Sequence, residues 1–281
     1  MRALALAMLL CLFAVPPASA DRFLLRYDGA GLGFVPLGGM TVDADVEDNS
    51  YTITVTLASG GLLNFFERTN IEATAAGELN GDHVRWRQYD LDHHYSRKHR
   101  TVAMRVADDG AVTANINPTF RIWGTPPASD AQKREARDPL STMVAMSIDA
   151  GATRRCGGGY LTFDGRFLYR LELTGGKIEH FYGGGYSGDV LKCRLAYVPV
   201  AGFEQRDGGY RQVRNGQVWF ALAPGARYAP PVLISTPLSA GAAVVRLNHW
   251  HRATVTIEVE PAPADDATVP PATNAPAAAT P

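Results

Sequence analysis

Hydrophobic and polar residues alternate with a period of two along most of this chain. Val42, Ala44 and Val46 are interleaved with Asp43, Asp45 and Glu47. After a turn signal at Asp48-Asn49-Ser50, Tyr51, Ile53, Val55 and Leu57 are interleaved with Thr52, Thr54 and Thr56. Successive side chains of a strand point to opposite faces, so this pattern predicts a hairpin with one buried face. A second hairpin, Ile71–Leu79 with Val84–Leu91, is joined at Asn80-Gly81, a pair that favours a type I′ turn. A third runs through Val102, Met104 and Val106, turns at Asp108-Asp109-Gly110 and returns through Val112, Ala114 and Ile116. The same grammar resumes at Leu161 and Phe163, with a turn at Asp164-Gly165 and a strand through Phe167, Tyr169 and Leu171. A further turn at Gly175-Gly176 leads into Ile178–Tyr182. Later strands are expected at Asp189–Val198, Gln217–Leu222, Val232–Ser235 and Ala242–Val259, and Gly61–Arg68 fits either a helical turn or a loop crossing the sheet.

One segment departs from this alternation. Asp138 is a good N-cap, Pro139 suits the first helical position, and Leu140, Met143, Val144 and Ile148 recur at helical spacing. Ala145 and Met146 widen the apolar surface until it covers most of the circumference, and such a helix needs to be enclosed. The pattern therefore predicts a mainly β chain with one enclosed helix, Asp138–Ile148, inside a large curved antiparallel sheet. That sheet could be packed solid or could leave a cavity for an apolar guest.

The two ends differ from the middle. Residues 1–20 read as a cleavable export signal, with Arg2 as the charged start, an apolar run from Ala3 to Val15, and small residues before a cut between Ala20 and Asp21. The run is too short to span a bilayer and is ended by Pro16-Pro17, so no stable membrane span is expected. Residues 261–281, rich in Pro, Ala and Thr, offer no apolar face to offset chain entropy and are expected to be disordered. Residues 21–260 then form a single β-rich domain, in which Thr125–Asp130 is the one stretch of linker-like composition.

Charge and cysteines narrow the function. Lys and Arg number 27 against 28 Asp and Glu, which does not favour nucleic acid or an anionic membrane surface as a main partner. Of three cysteines, Cys11 lies in the signal, leaving Cys156 and Cys193 in an oxidising compartment where they are expected to pair.

Candidate chemistry is sparse. His249 and His251 would share one face of a strand, and Asp90, Asp92, His93 and His94 offer further metal ligands, but solvated strand faces carry histidine freely. Ser187, in Gly185-Tyr186-Ser187-Gly188, lacks a nucleophile elbow because Asp189 stands where glycine is needed. Gly157–Gly159 and Gly183–Gly185 lack the lysine and hydroxyl of a phosphate loop. The basic run Arg97-Lys98-His99-Arg100 reads as a solvated face in preference to a phosphate contact. Asp164-Gly165 reads as a tight turn with Gly165 at positive φ and Arg166 pairing to a carboxylate. No catalytic, cofactor-binding or metal residue is assigned.

Taken together, several motifs carry a resemblance. Asp138-Pro139-Leu140-Ser141 opening a helix, Cys156, Phe163-Asp164-Gly165-Arg166 and the Cys193–Phe203 run are similar to the exported bacterial proteins of domain of unknown function 3108. Gly60-Gly61-Leu62-Leu63, Gly77 and Arg97–Val106 fit as well, so the similarity covers roughly Phe23 to Phe203. It implies a Gram-negative periplasmic or outer-envelope location and a β-rich fold related to the half-barrel-and-helix shape of lipoprotein carriers. It defines no catalytic residue. A similar helix, cysteine and Phe-Asp-Gly-Arg arrangement in a periplasmic family linked to envelope integrity adds an envelope role by analogy. The expectation is a non-enzymatic periplasmic protein that uses no cofactor and binds an apolar ligand, such as a lipid or lipoprotein, or scaffolds an envelope protein. The alternative is a metal-assisted envelope hydrolase using His249 and His251.

Overall fold

A computed structural model describes residues 18–257 apart from 33, 62–63, 65–67, 205–214 and 239–240. The first seven strands are β1 (Ala18–Gly31), β2 (Val35–Val46), β3 (Ser50–Ser59), β4 (Thr69–Asn80), β5 (His83–Tyr95), β6 (Lys98–Val106) and β7 (Val112–Asn117). Two helices follow, α1 (Asp130–Glu135) and α2 (Pro139–Thr153). The remaining strands are β8 (Gly159–Phe163), β9 (Leu168–Gly183), β10 (Tyr186–Ala201), β11 (Asn215–Ala221), β12 (Pro231–Pro237) and β13 (Ala242–Ile257). All 13 strands form one antiparallel sheet in the order β7-β6-β5-β4-β3-β2-β1-β13-β12-β11-β10-β9-β8. Two meanders are thus joined by β1 and β13, while β7 and β8 are the edges of a sheet that is not closed into a barrel.

The predicted hairpins are present in register. Ala44 faces Ile53 and Val42 faces Val55, and in the third hairpin Val102 faces Ile116 and Met104 faces Ala114. Their inward rows supply much of the core, where Phe23, Leu25, Ile53, Met104, Leu168, Leu191 and Phe220 are fully enclosed.

Helix α2 lies against this concave face and touches β4, β5, β8 and β11. Asp138 caps it by accepting hydrogen bonds from the Leu140 and Ser141 amides, both at 2.9 Å. Val144, Met146 and Ile148 have no exposed surface. Two hydroxyls on the buried helix surface are matched: Tyr51 donates to Ser141 Oγ at 2.6 Å, and Thr142 and Thr162 hydroxyls are 3.0 Å apart. An unmatched buried hydroxyl would cost about 1–3 kcal/mol. The helix also runs five residues past the predicted end, to Thr153, where Arg154 closes it in the left-handed conformation.

The gap between β7 and β8 is covered by the chain that links them. Trp86 donates to the Ala136 carbonyl, Arg137 donates to the Val84 carbonyl, and Arg137 bridges Leu161 and Phe163 of β8 through its backbone. The Phe120 ring lies under two guanidinium groups, Arg100 at 4.1 Å and Arg166 at 5.2 Å. Thr125–Asp130 is therefore no free linker: Thr125 donates to Phe203, and Gly202 donates to Pro126.

Two further expectations are corrected, and two elements are added. Gly175-Gly176 is not a hairpin turn but a bulge inside the 16-residue strand β9, since the register slips between Lys192 and Arg194 opposite it. Asn80 pairs with His83, so Gly81 and Asp82 form the turn, and only Gly81 has positive φ, as in type II′ turns. Strand β1 was not anticipated, although Phe23, Leu25 and Tyr27 alternate with Leu24, Arg26 and Asp28 in the same period of two. Helix α1 was also missed, although Ser129 and Gln132 make a capping box legible in the sequence. Residues 1–17 and 261–281, with the signal core and the expected disordered tail, lie outside the described residues, as does most of Gly61–Arg68.

Candidate functional site

The motif residues come together in space, and their contacts are structural. The Asp164 carboxylate accepts from the Arg166 and Phe167 amides at 2.9 and 2.7 Å, which fixes the β8–β9 turn, and Gly165 has φ of 101°. Burial pushes the Asp164 carboxyl above its ordinary value, although the Arg166 charge and these amides pull the other way. Arg166 pairs with Glu204 at 3.4 Å, Phe167 stacks on Phe203, and Tyr169 stacks on Tyr197. A Cβ on Gly202 would collide with the Arg166 carbonyl oxygen at 2.2 Å, so the end of the Cys193–Phe203 run is shaped to sit on the Phe163–Arg166 turn.

The predicted disulfide is formed. Cys156 and Cys193 are linked with Cα atoms 5.5 Å apart, and Cys156 packs against Gly176 at the β9 bulge. The bulge thus makes room for the cystine that ties the α2 exit to β10. The expected cut between Ala20 and Asp21 falls inside β1, where Ala20 pairs with Val255 and Asp21 with Thr254. The Asp21 carboxylate is held by Arg252 Nε and Nη2 at 2.9 and 3.1 Å and by the Thr254 hydroxyl at 3.1 Å.

An opening suited to a ligand lies where α2 does not reach. A cavity of about 260 Å³ is lined by Gly29, Leu37, Met40, Leu57, Ala58 and Val245 among others, and α2 contributes none of its walls. Met40 and Leu57 are register partners that continue the inward row of Val42 and Val55. Two hairpin tips meet beside it, since a Cβ on Gly241 would stand 3.1 Å from Leu32 Cα. These tips leave large apolar side chains in solvent: Leu32, Leu238 and, at 77 % exposure, Phe34.

The sequence-predicted reactive groups do not assemble into a catalytic centre among the described residues. His249 and His251 are both exposed on β13, five strands from β5 in the sheet order, so they do not meet Asp90, Asp92, His93 or His94. Asp90 is paired with Arg105 at 2.9 Å. His93 packs with its ring tilted against Tyr95, on the face opposite His94. Ser187 lies just after the Gly184-Gly185 turn, and its hydroxyl is 3.4 Å from His180 Nε2, whose Nδ1 is 3.9 Å from Asp189. The order is that of a relay, but all three groups are solvated and Asp189 also faces Arg154 at 3.5 Å, so the imidazole lacks the buried carboxylate that orients it in a triad. The basic run is divided by strand alternation: Lys98 and Arg100 point to the inner face and His99 to the outer. Among the described residues, no helix is long and apolar enough to cross a membrane.

Comparison with known proteins places the fold alone. No family model matches the chain, and no curated protein matches it. Among solved structures, the chain is similar to a beta-barrel-like protein of domain of unknown function DUF1849 from Brucella abortus. The match has a TM-score of 0.51 and 10 % identity, and covers 85 % of this chain and 99 % of that one. At that identity the shared property is the architecture, a β-barrel-like fold built here from an open 13-stranded sheet around a helix.

Proposed function

We propose that this chain is an exported, non-enzymatic protein of the bacterial envelope that receives the acyl chain of a lipid or lipoprotein at the open end of its sheet. The observation that carries this reading is the apolar cavity beside Met40 and Leu57, flanked by solvent-exposed Leu32, Phe34 and Leu238. The disulfide is compatible with export, and the resemblance to domain of unknown function 3108 supports an envelope location. Each buried methylene gains about 0.8 kcal/mol, so a chain end of about six methylenes gains about 5 kcal/mol, a dissociation constant near 0.2 mM. The exposed residues on the hairpin tips supply the additional contact area that tighter binding needs.

The test uses delipidated full-length chain titrated with a fluorescent fatty acid. Saturable binding is expected, weakened at least tenfold by Leu57→Asp, which places a charge in the cavity wall. Binding that is absent, or equal in the Leu57→Asp variant, would overturn the reading.

A further inference from the structure

One side-chain cluster outside that cavity has the chemistry of a metal site. Asp92 and His94 stand two residues apart on β5, and His99 on β6 is the direct register partner of His94. All three face solvent on the convex side. His94 Nε2 is 2.9 Å from Asp92 Oδ1, and His99 Nε2 is 3.0 Å from the same oxygen. The two imidazoles are stacked, with centroids 3.9 Å apart and planes 6° from parallel. The three ligand atoms all lie within 4.8 Å of one another.

Strand alternation turns the two basic neighbours of His99 away from the cluster, while Arg105 on the same face is engaged by Asp90. Lys98 sits over Tyr95 and Arg100 over Phe120, both on the opposite side of β6 from His99. Glu72 on β4 is the register partner of Asp92, so a further carboxylate borders the cluster. Cross-strand partners stand about 5 Å apart at Cβ, within reach of a shared ion.

We propose that Asp92, His94 and His99 bind a divalent transition-metal ion of the zinc class. Two nitrogen donors and one oxygen donor suit zinc, copper or nickel and not calcium or magnesium, which take oxygen ligands. In the metal-free chain the imidazoles can both donate Nε2–H to Asp92. Neutral histidine can carry its proton on Nδ1 instead, which frees both Nε2 lone pairs for an ion seated among the three groups. Zinc–nitrogen distances of about 2.0–2.1 Å require only small rotations of solvated side chains. The remaining coordination position faces water and Glu72. The strands fix the backbone positions, whereas His249 and His251 on β13 have no carboxylate ligand grouped with them among the described residues.

The experiment is calorimetric titration of the untagged, chelator-treated full chain with zinc sulfate at pH 7.5. One saturable site is expected, weakened at least tenfold by His99→Ala and by Asp92→Asn, and unchanged in His249→Ala/His251→Ala. Because the three ligands are exposed, the variants are expected to keep the wild-type circular dichroism spectrum, so a loss of binding reports on the site and not on folding. A zinc-dependent rise in Tm should accompany binding in the wild type and vanish in His94→Ala/His99→Ala. No saturable uptake at 100 µM zinc, or equal affinity in the Asp92, His94 and His99 variants, would overturn the proposal.

Discussion

The two ends of the concave face share β3, which reaches α2 through Tyr51 and the cavity through Leu57, and they are finished in opposite ways. At one end α2 covers the inward rows, and Val144, Met146 and Ile148 are buried without remainder. At the other end the rows run on through Met40 and Leu57 to a cavity, and the hairpin tips leave Phe34 in solvent. The difference shows that alternation alone makes an apolar face, and that a second element decides whether the face becomes core or pocket.

The comparison can be broken most severely at the cystine that secures the covered end. The link between Cys156 and Cys193 closes 37 residues of chain, and by the chain-entropy model its loss removes about 4 kcal/mol. The Cys156→Ser/Cys193→Ser variant is expected to unfold at a clearly lower urea midpoint than the oxidised wild type. Next comes the helix surface itself. Ile148→Ala leaves a void in a fully buried site and is expected to cost about 3 kcal/mol, against about 1 kcal/mol or less for Leu57→Ala beside the cavity. Equal losses in urea titrations would mean that the open end is packed as tightly as the covered one.

Asp138 sharpens the contrast through pH. Burial pushes its carboxyl up to about 6, more than the Leu140 and Ser141 amides can offset. Protonation therefore favours the folded chain: this contribution is fully present below about pH 4 and is lost as pH rises through about 6. Asp138→Asn keeps a capping oxygen and never ionises. Its stability relative to wild type is expected to improve by about 2 kcal/mol between pH 4.5 and pH 7.5, measured by urea unfolding at both values. The smallest effect belongs to the open rim. Phe34→Ser should change stability by less than about 0.5 kcal/mol while weakening fatty-acid binding several-fold.

Much of the architecture was legible from single residues. Val42, Ala44 and Val46 against Tyr51 and Ile53 announced a half-buried hairpin, and Asp138-Pro139 announced the start of α2, because period and caps are local properties of the chain. Strand β1 carries the same local signal, an inner row of Phe23, Leu25 and Tyr27 alternating with Leu24, Arg26 and Asp28, and it runs directly on from the expected signal cut. Gly175-Gly176 read as a turn because two glycines with positive φ serve a bulge as well as a hairpin. The candidate sites were less legible. Asp92 and His94 could be singled out, but their partner His99 lay in a basic run, and only the β5–β6 register places it opposite His94.

By itself the sequence determined the period-two strands, the capped and enclosed helix, and the pairing of the two cysteines outside the expected signal. These follow from local spacing and from composition. The tertiary structure decided that β1 and β13 join two meanders, that α2 covers one end and leaves a cavity at the other, and that Asp92, His94 and His99 converge. Each of these depends on contacts between residues far apart in the chain, which are fixed by register and by the curvature of the sheet and have no local signature.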